Sequence, residues 1–366
     1  MKVTFLLPGP SYIPIGGVKV VYEYANGLVA LNHHVTVVHA PLRYYGDHSY
    51  LYDTLRNIDF LGRSIGLCQG FRPNKWFPID PRVRLLWVPS LHERWIPDGD
   101  VVIASAWQTG EWGATYGPSK GRKVFLVQDY ERYMTAPQQT RSRMGKIFRN
   151  GFYNIAISSA VQSMLEELHA PIGAYIPNGI DFTIYKCTNP IASGERPWIG
   201  FAARMEPFKG TQDIITALTI VRQNGYSSVK IWGFGTPRFR VPEWIEFRSR
   251  PSDNELSAYH NRSKIFVVGS HYEGWGLPGA EAMACGSTLV STNNGGVSAY
   301  AEHDVTALLS PPGDPASLAQ NILLLLRNDD ERVKLAQRGL RRIGEFTWSA
   351  SIRKMDEIIQ GMGHIS

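Results

Sequence analysis

The run Trp198-Ile199-Gly200-Phe201-Ala202-Ala203-Arg204-Met205-Glu206-Pro207-Phe208-Lys209-Gly210 decides how the chain is to be read. Residues 198–203 are apolar and β-prone, a short polar turn follows, and apolar residues return at helical spacing over 211–224. Strand, turn and helix in that order form half of a βαβ unit, the building block of a parallel sheet. Downstream the pattern predicts strands over 229–232, 264–269 and 288–291, with helices over 254–261 and 278–285, the latter stopped by Gly286. Upstream it predicts strands over 2–7, 35–39, 101–105 and 123–128. Gly16 and Gly17 stand before a helix marked by Val18, Val21, Tyr22, Ala25, Leu28 and Val29. Two such series predict an α/β protein with two Rossmann-like, doubly wound domains facing across a cleft. The expected divisions are 1–171, 172–346 with a linker near 172–197, and 347–366, where an amphipathic helix over 348–362 crosses back to the first domain. Residues 43–82, rich in arginine and aromatics, read as loops and short helices.

Composition narrows the classes. A chain of 366 residues suits two domains of roughly 150 residues each. With 43% hydrophobic and 19% charged residues it is neither disordered nor fibrous. Cys68, Cys187 and Cys285 are odd in number and far apart, which argues against a disulfide framework or a zinc site and fits a reducing, cytoplasmic setting. Residues 1–8 are too short for a secretory signal and read as a strand. No apolar stretch approaches the ~20 residues that span a bilayer, so the chain is expected to be soluble or to lie on a membrane surface. The net charge of +6 is uneven: residues 1–170 carry 18 Lys and Arg against 13 Asp and Glu, and the rest 20 against 19. A basic first half suits an anionic partner or peripheral membrane contact, although so small a surplus is equally ordinary surface composition. No nucleic-acid partner is expected.

Two segments carry the chemistry. In the opening run, Arg204 offers a planar fork of donors and Lys209 a compact charge beside a helix start. Together they match a diphosphate, although two such residues are as readily solvated surface charges. The second segment runs Ser270-His271-Tyr272-Glu273-Gly274-Trp275-Gly276-Leu277-Pro278-Gly279-Ala280-Glu281-Ala282-Met283-Ala284-Cys285-Gly286. The amides of Gly274, Trp275, Gly276 and Leu277 lie in a glycine-rich turn opening a helix, where free N–H groups meet sugar or phosphate oxygens. Glu281, read as lying in the helix's first turn, suits vicinal ribose hydroxyls because a carboxylate only accepts. Glu273 suits hydroxyls of a sugar or holds the turn. The bland alternative is a glycine turn with carboxylates answering the helix dipole.

Together these residues resemble family 4 of the retaining glycosyltransferases, which have the GT-B fold. The matches are Arg204 and Lys209, then Glu273 and Glu281 eight residues apart, with Gly16-Gly17, Pro177-Asn178-Gly179-Ile180-Asp181 and Trp232-Gly233-Phe234-Gly235. The likeness covers most of the chain and is weakest over 43–95. It implies that Arg204 and Lys209 bind the diphosphate of a nucleotide-sugar donor and that Glu281 holds its ribose. Glu273 and the 274–277 amides would then meet the sugar, and Gly16 and Gly17 the phosphate from the first domain. The base would sit near 232–235, including Gly233 and Gly235, and Arg250. The implied acceptor is a glycan or a lipid-linked sugar, and no metal or other cofactor is implied.

The sequence departs from the family where many relatives carry His-Asp beside the reacting sugar. Here the segment is Val127-Gln128-Asp129-Tyr130-Glu131, which resembles a subgroup including rhamnosyltransferases of surface polysaccharides. Gln128 cannot act as an acid or base, while Asp129 and Glu131 either face an acceptor or cap the next turn. Residues 134–149, with Arg141, Arg143, Lys146 and Arg149, suit an anionic acceptor or form a solvated helix face. Asp98-Gly99-Asp100 spells an Asp-x-Asp metal motif, but its place before an apolar run is that of an ordinary turn. His33 and His34 likewise read as turn residues. The implied reaction is retaining glycosyl transfer by front-face attack. A non-hydrolysing sugar-nucleotide epimerase and a catalytically silent binding subunit remain as alternatives.

Overall fold

Runs of Val, Ile, Leu and Phe alternate with helices bearing one apolar stripe, and helix crossovers return the chain to start each strand in the same direction. The computed structural model describes residues 1–9, 14–40, 76–235 and 240–363. The irregular segment expected over 43–82 falls outside the described residues as far as residue 75. The first half holds β1 (Lys2–Leu7), β2 (His34–His39), β3 (Arg84–Trp87), β4 (Val101–Ala104), β5 (Arg122–Val127), β6 (Tyr153–Ala156) and β7 (Ile172–Tyr175). These form one sheet in the order β3-β2-β1-β4-β5-β6-β7, all pairs parallel. The second half holds β8 (Trp198–Ala202), β9 (Lys230–Gly235), β10 (Ile245–Ser249), β11 (Ser263–Val268), β12 (Thr288–Thr292) and β13 (Ala307–Ser310). Their order is β10-β9-β8-β11-β12-β13, again parallel throughout. In each sheet the winding reverses next to the first strand, between β1 and β4 and between β8 and β11. Open α/β sheets bind ligands beyond the carboxyl ends of their strands at that point.

The first sheet continues past the boundary drawn at residue 171, because β7 pairs with β6. Its sequence, Ile172-Gly173-Ala174-Tyr175, is a short edge strand with an exposed glycine, so it lacks the apolar run that marks a buried strand. The helix read over 211–224 ends as Thr211–Val221 and passes into an irregular turn at Arg222–Tyr226, where Gly225 has positive φ.

The C-terminal helix Trp348–Gly363 lies on α1 (Gly16–Ala30). Trp348 meets Tyr24 edge-on with ring centroids 5.6 Å apart, Ile352 packs on Gly27, and His33 Nε2 lies 2.7 Å from Asp356 Oδ1. One buried apolar cluster joins Phe5, Val37 and Phe125 of the first half to Trp232, Trp275, Tyr300 and Phe346 of the second. Among the described residues no helix is long and apolar enough to cross a membrane.

Candidate active site

The turn after β8 is fixed before any ligand arrives. Thr211 Oγ1 accepts from Arg204 N and donates to Arg204 O, both at 2.9 Å. A single 3₁₀ turn, Pro207–Lys209, closes on Gly210, whose φ of +61° and contact with Gly269 leave no room for a side chain. His271 N donates to Phe208 O at 2.7 Å, tying this loop to the one that follows β11. The two motifs read in the sequence thus become one surface. Lys209 Nζ lies 2.9 Å from Glu273 Oε2, and Ser270 Oγ donates to Glu273 Oε1 at 2.7 Å. The guanidinium of Arg204 lies over the Phe234 ring at 5.5 Å and donates to Ala203 O. Burial lowers the Arg204 pKa, against the pull of Glu273, Glu206 and Glu281, but an arginine keeps its charge through such a shift. At Lys209 burial would favour the neutral amine, yet Glu273 and Glu131 outweigh it and raise the pKa, so the ammonium is retained.

Gly276, with φ +93°, turns the chain into helix Leu277–Ala284, and Tyr300 Oη donates to Gly276 O at 3.0 Å to hold the turn. The first N–H groups of this helix have no acceptor within it. The Leu277 side chain at this helix start lies by α1, where a side chain on Gly16 would approach it and one on Gly17 would approach Gln128. Gln128 Nε2 donates to Gly17 O at 3.3 Å. The Trp275 side chain, by contrast, is buried between Tyr300 and Phe346, so only its backbone can meet a ligand.

Glu281 is placed differently from its sequence reading. It stands in the second turn of the helix, only 6% exposed, and its Oε1 is 3.2 Å from Lys19 Nζ of α1. Asp253 Oδ2 takes the same ammonium at 3.0 Å, and Lys19 lies over the Tyr185 ring. Asp253 opens a helix set by a capping box between Ser252 and Glu255. Burial raises the Glu281 pKa, opposed by Lys19 and reinforced by Asp253. Lys19 and Asp253 carry no motif of their own; the one legible hint was a lysine two residues after the glycine pair.

Asp129, read as facing an acceptor or capping the next turn, is engaged with a neighbouring helix. Its Oδ2 accepts from Trp107 N at 2.6 Å, so it holds the start of helix Trp107–Ala114. Burial pushes its carboxyl up to about 7, with the Trp107 N–H pulling down and Glu131 adding to the rise. Glu131, in contrast, reaches across the cleft to Lys209, with Oε1 3.0 Å from Nζ.

The strand at the expected base site is tightly packed. Trp232 is fully buried and donates to Ser263 Oγ at 2.8 Å. Gly233 and Gly235 lie inside β9, where side chains would strike the Phe201 ring and Ala203 O; they serve strand packing. Arg250 is exposed, with φ +51°, and its N–H caps Gly235 O. Asp98 pairs with Lys120 Nζ, and Asp100 Oδ2 accepts from Lys2 N, both at 2.7 Å, as turn residues do. Arg143 pairs with Glu111 and Arg149 donates to Leu168 O, whereas Arg141 and Lys146 are exposed on helix Gln138–Arg149. A cavity of about 810 Å³ lies at the far end of the first sheet, by Met1, His33 and Asp100, and touches none of these groups.

Comparison with known proteins bears on the class of the chain. Residues 189–342 match the family model described as "Glycosyl transferases group 1". A D-inositol 3-phosphate glycosyltransferase of Corynebacterium efficiens is 26% identical over 176 residues, 44% of this chain and 42% of that protein. The O-antigen chain mannosyltransferase B of Escherichia coli is 27% identical over 180 residues, 44% of this chain and 46% of that one. The chain spans about half the length of the curated relatives it matches. In fold it is similar to the Anabaena protein HepE, solved with UDP and glucose, with a TM-score of 0.74 at 18% identity over 99% of this chain and 100% of that one. The protein therefore has the GT-B fold. More particularly, residues 189–342 are similar to the glycosyl transferases group 1.

Proposed function

We propose that the protein transfers a glycosyl group from a nucleoside diphosphate sugar to an acceptor hydroxyl, with retention of configuration and without a metal ion. The observation that carries this reading is the convergence of Arg204, Lys209 and Glu273 with the Gly276 turn beyond the carboxyl ends of β8 and β11. Two cations and a row of helix N–H groups take up the charge that builds on a departing diphosphate, the work a divalent ion does elsewhere. Glu273 and the turn amides receive the sugar, and Glu281 the ribose once it parts from Lys19. Gln128, beside Gly17, has no proton to exchange, so the departing phosphate oxygen is the base for front-face attack. An acceptor in glycan or surface-polysaccharide assembly is supported by the likeness to the O-antigen mannosyltransferase. The exposed Arg141 and Lys146 suit an anionic or lipid-linked acceptor at a membrane surface.

A thermal-shift panel of UDP, GDP and dTDP with their hexose conjugates tests the reading. One base series should raise Tm in wild type and fail to do so in Lys209→Ala. A wild type unmoved by the whole panel contradicts it.

A further inference from the structure

Lys209 is already satisfied in this structure, and one of its two partners comes from the opposite half. Glu273 Oε2 and Glu131 Oε1 flank the ammonium at 2.9 and 3.0 Å. Arg204 and Lys209 supply two positive charges to this corner; Glu273 answers one, and burial beside Glu273 disfavours the charged form of Glu131. A diphosphate brings roughly two further negative charges into a site screened from water, where an unpaired carboxylate is costly. One carboxylate must therefore leave the ammonium. Glu273 keeps the Ser270 hydroxyl on its other oxygen, whereas Glu131 meets Lys209 and Glu273 itself, the acidic neighbour that disfavours its charge. Glu131 is the group that yields. Its other oxygen, Oε2, lies 3.4 Å from where a side chain on Gly274 would begin, and Gln128 O lies 3.2 Å from the same point. Released, this carboxylate stays between the first half and the turn that receives the sugar.

We propose that Glu131 holds the place of the donor diphosphate on Lys209 and that donor binding frees it to orient the attacking hydroxyl. It accepts a hydrogen bond from that hydroxyl; the proton itself goes to the leaving phosphate oxygen. Donor must then bind before acceptor, since only the donor uncovers the group that orients the acceptor. The inference rests on Lys209 as the diphosphate site.

The test uses calorimetry and acceptor-free hydrolysis on the whole protein, with the sugar nucleotide that stabilises it most in a panel of UDP-, GDP- and dTDP-hexoses. Glu131→Gln should bind that donor about tenfold more tightly while hydrolysing it about tenfold more slowly, water standing in as acceptor. Lys209→Ala should bind at least tenfold more weakly. A Lys209→Ala variant that binds like wild type, or a panel in which no member binds, removes the diphosphate assignment and this proposal with it. Weak binding by Lys209→Ala together with unchanged or weaker binding by Glu131→Gln leaves the assignment standing and overturns the role of Glu131. Tighter binding with unchanged hydrolysis overturns the orienting step. Should Glu131→Gln lose its fold, Glu131→Asp, whose carboxylate falls short of Lys209, is expected to show the same opposed changes.

Discussion

Arg204 and Lys209 stand on the same turn but differ in how they are held, and that difference shapes what their loss should do. Replacing either with alanine removes one partner of a charged, largely desolvated contact, at a cost of roughly 2–4 kcal/mol in kcat/KM for the donor. Lys209→Ala also strands Glu131 and Glu273, so its Tm should fall more than that of Arg204→Ala, whose guanidinium is bonded to its own backbone neighbour. Steady-state kinetics and thermal denaturation check both. Asp129 gives a pH signature. Its folded-state carboxyl titrates near 7, above the ordinary Asp range, so the folded chain binds more protons than the unfolded one between about pH 4 and 7. Stability is therefore present below pH 4 and declines as pH rises through 7. Asp129→Asn keeps an acceptor for Trp107 N and should flatten that decline, gaining on wild type above pH 7 in urea titrations. An unchanged slope would mean that Asp129 is ionised at little cost.

Among the elements, the turn before helix Leu277–Ala284 has little room to change. Gly276 has φ +93°, and a side chain there would press on the Tyr300 hydroxyl at 3.1 Å. Gly276→Ala should cost about 1–2 kcal/mol of stability for the left-handed backbone and weaken sugar-nucleotide binding, as the amides turn away. Equal loss of stability with unaltered donor affinity would show that the amides do not contact the donor. Strand, turn and helix types were legible here because glycine, proline and the apolar period all agree over residues 274–286. The position of Glu281 was not, because the helix begins at Leu277 and puts it in the second turn. Nor was β7 legible, an edge strand whose half-exposed residues give no period.

Across the whole molecule the cleft is bridged from both sides, by Lys19 to Glu281 and by Glu131 to Lys209. Each bridge ends on a residue that the motifs single out; Lys19, 262 residues from its partner, has only the glycine pair before it, and Glu131, 78 residues from its own, lies in a marked segment that gave no sign of Lys209. This is why the second half's share of the site was readable and the first half's largely was not. Lys19→Ala leaves Glu281 and Asp253 without their ammonium, so Tm should drop, and adding the cognate nucleoside diphosphate should recover part of the loss through the ribose hydroxyls. The transfer chemistry itself is checked by proton NMR of sugar nucleotides incubated with the protein in excess EDTA. The expected spectrum shows slow release of nucleoside diphosphate from one donor, the first-formed sugar keeping the donor's anomeric configuration, with the signal lost in Lys209→Ala. An epimerised sugar nucleotide, an inverted anomeric centre, or turnover that appears only when magnesium or manganese is restored would contradict the account.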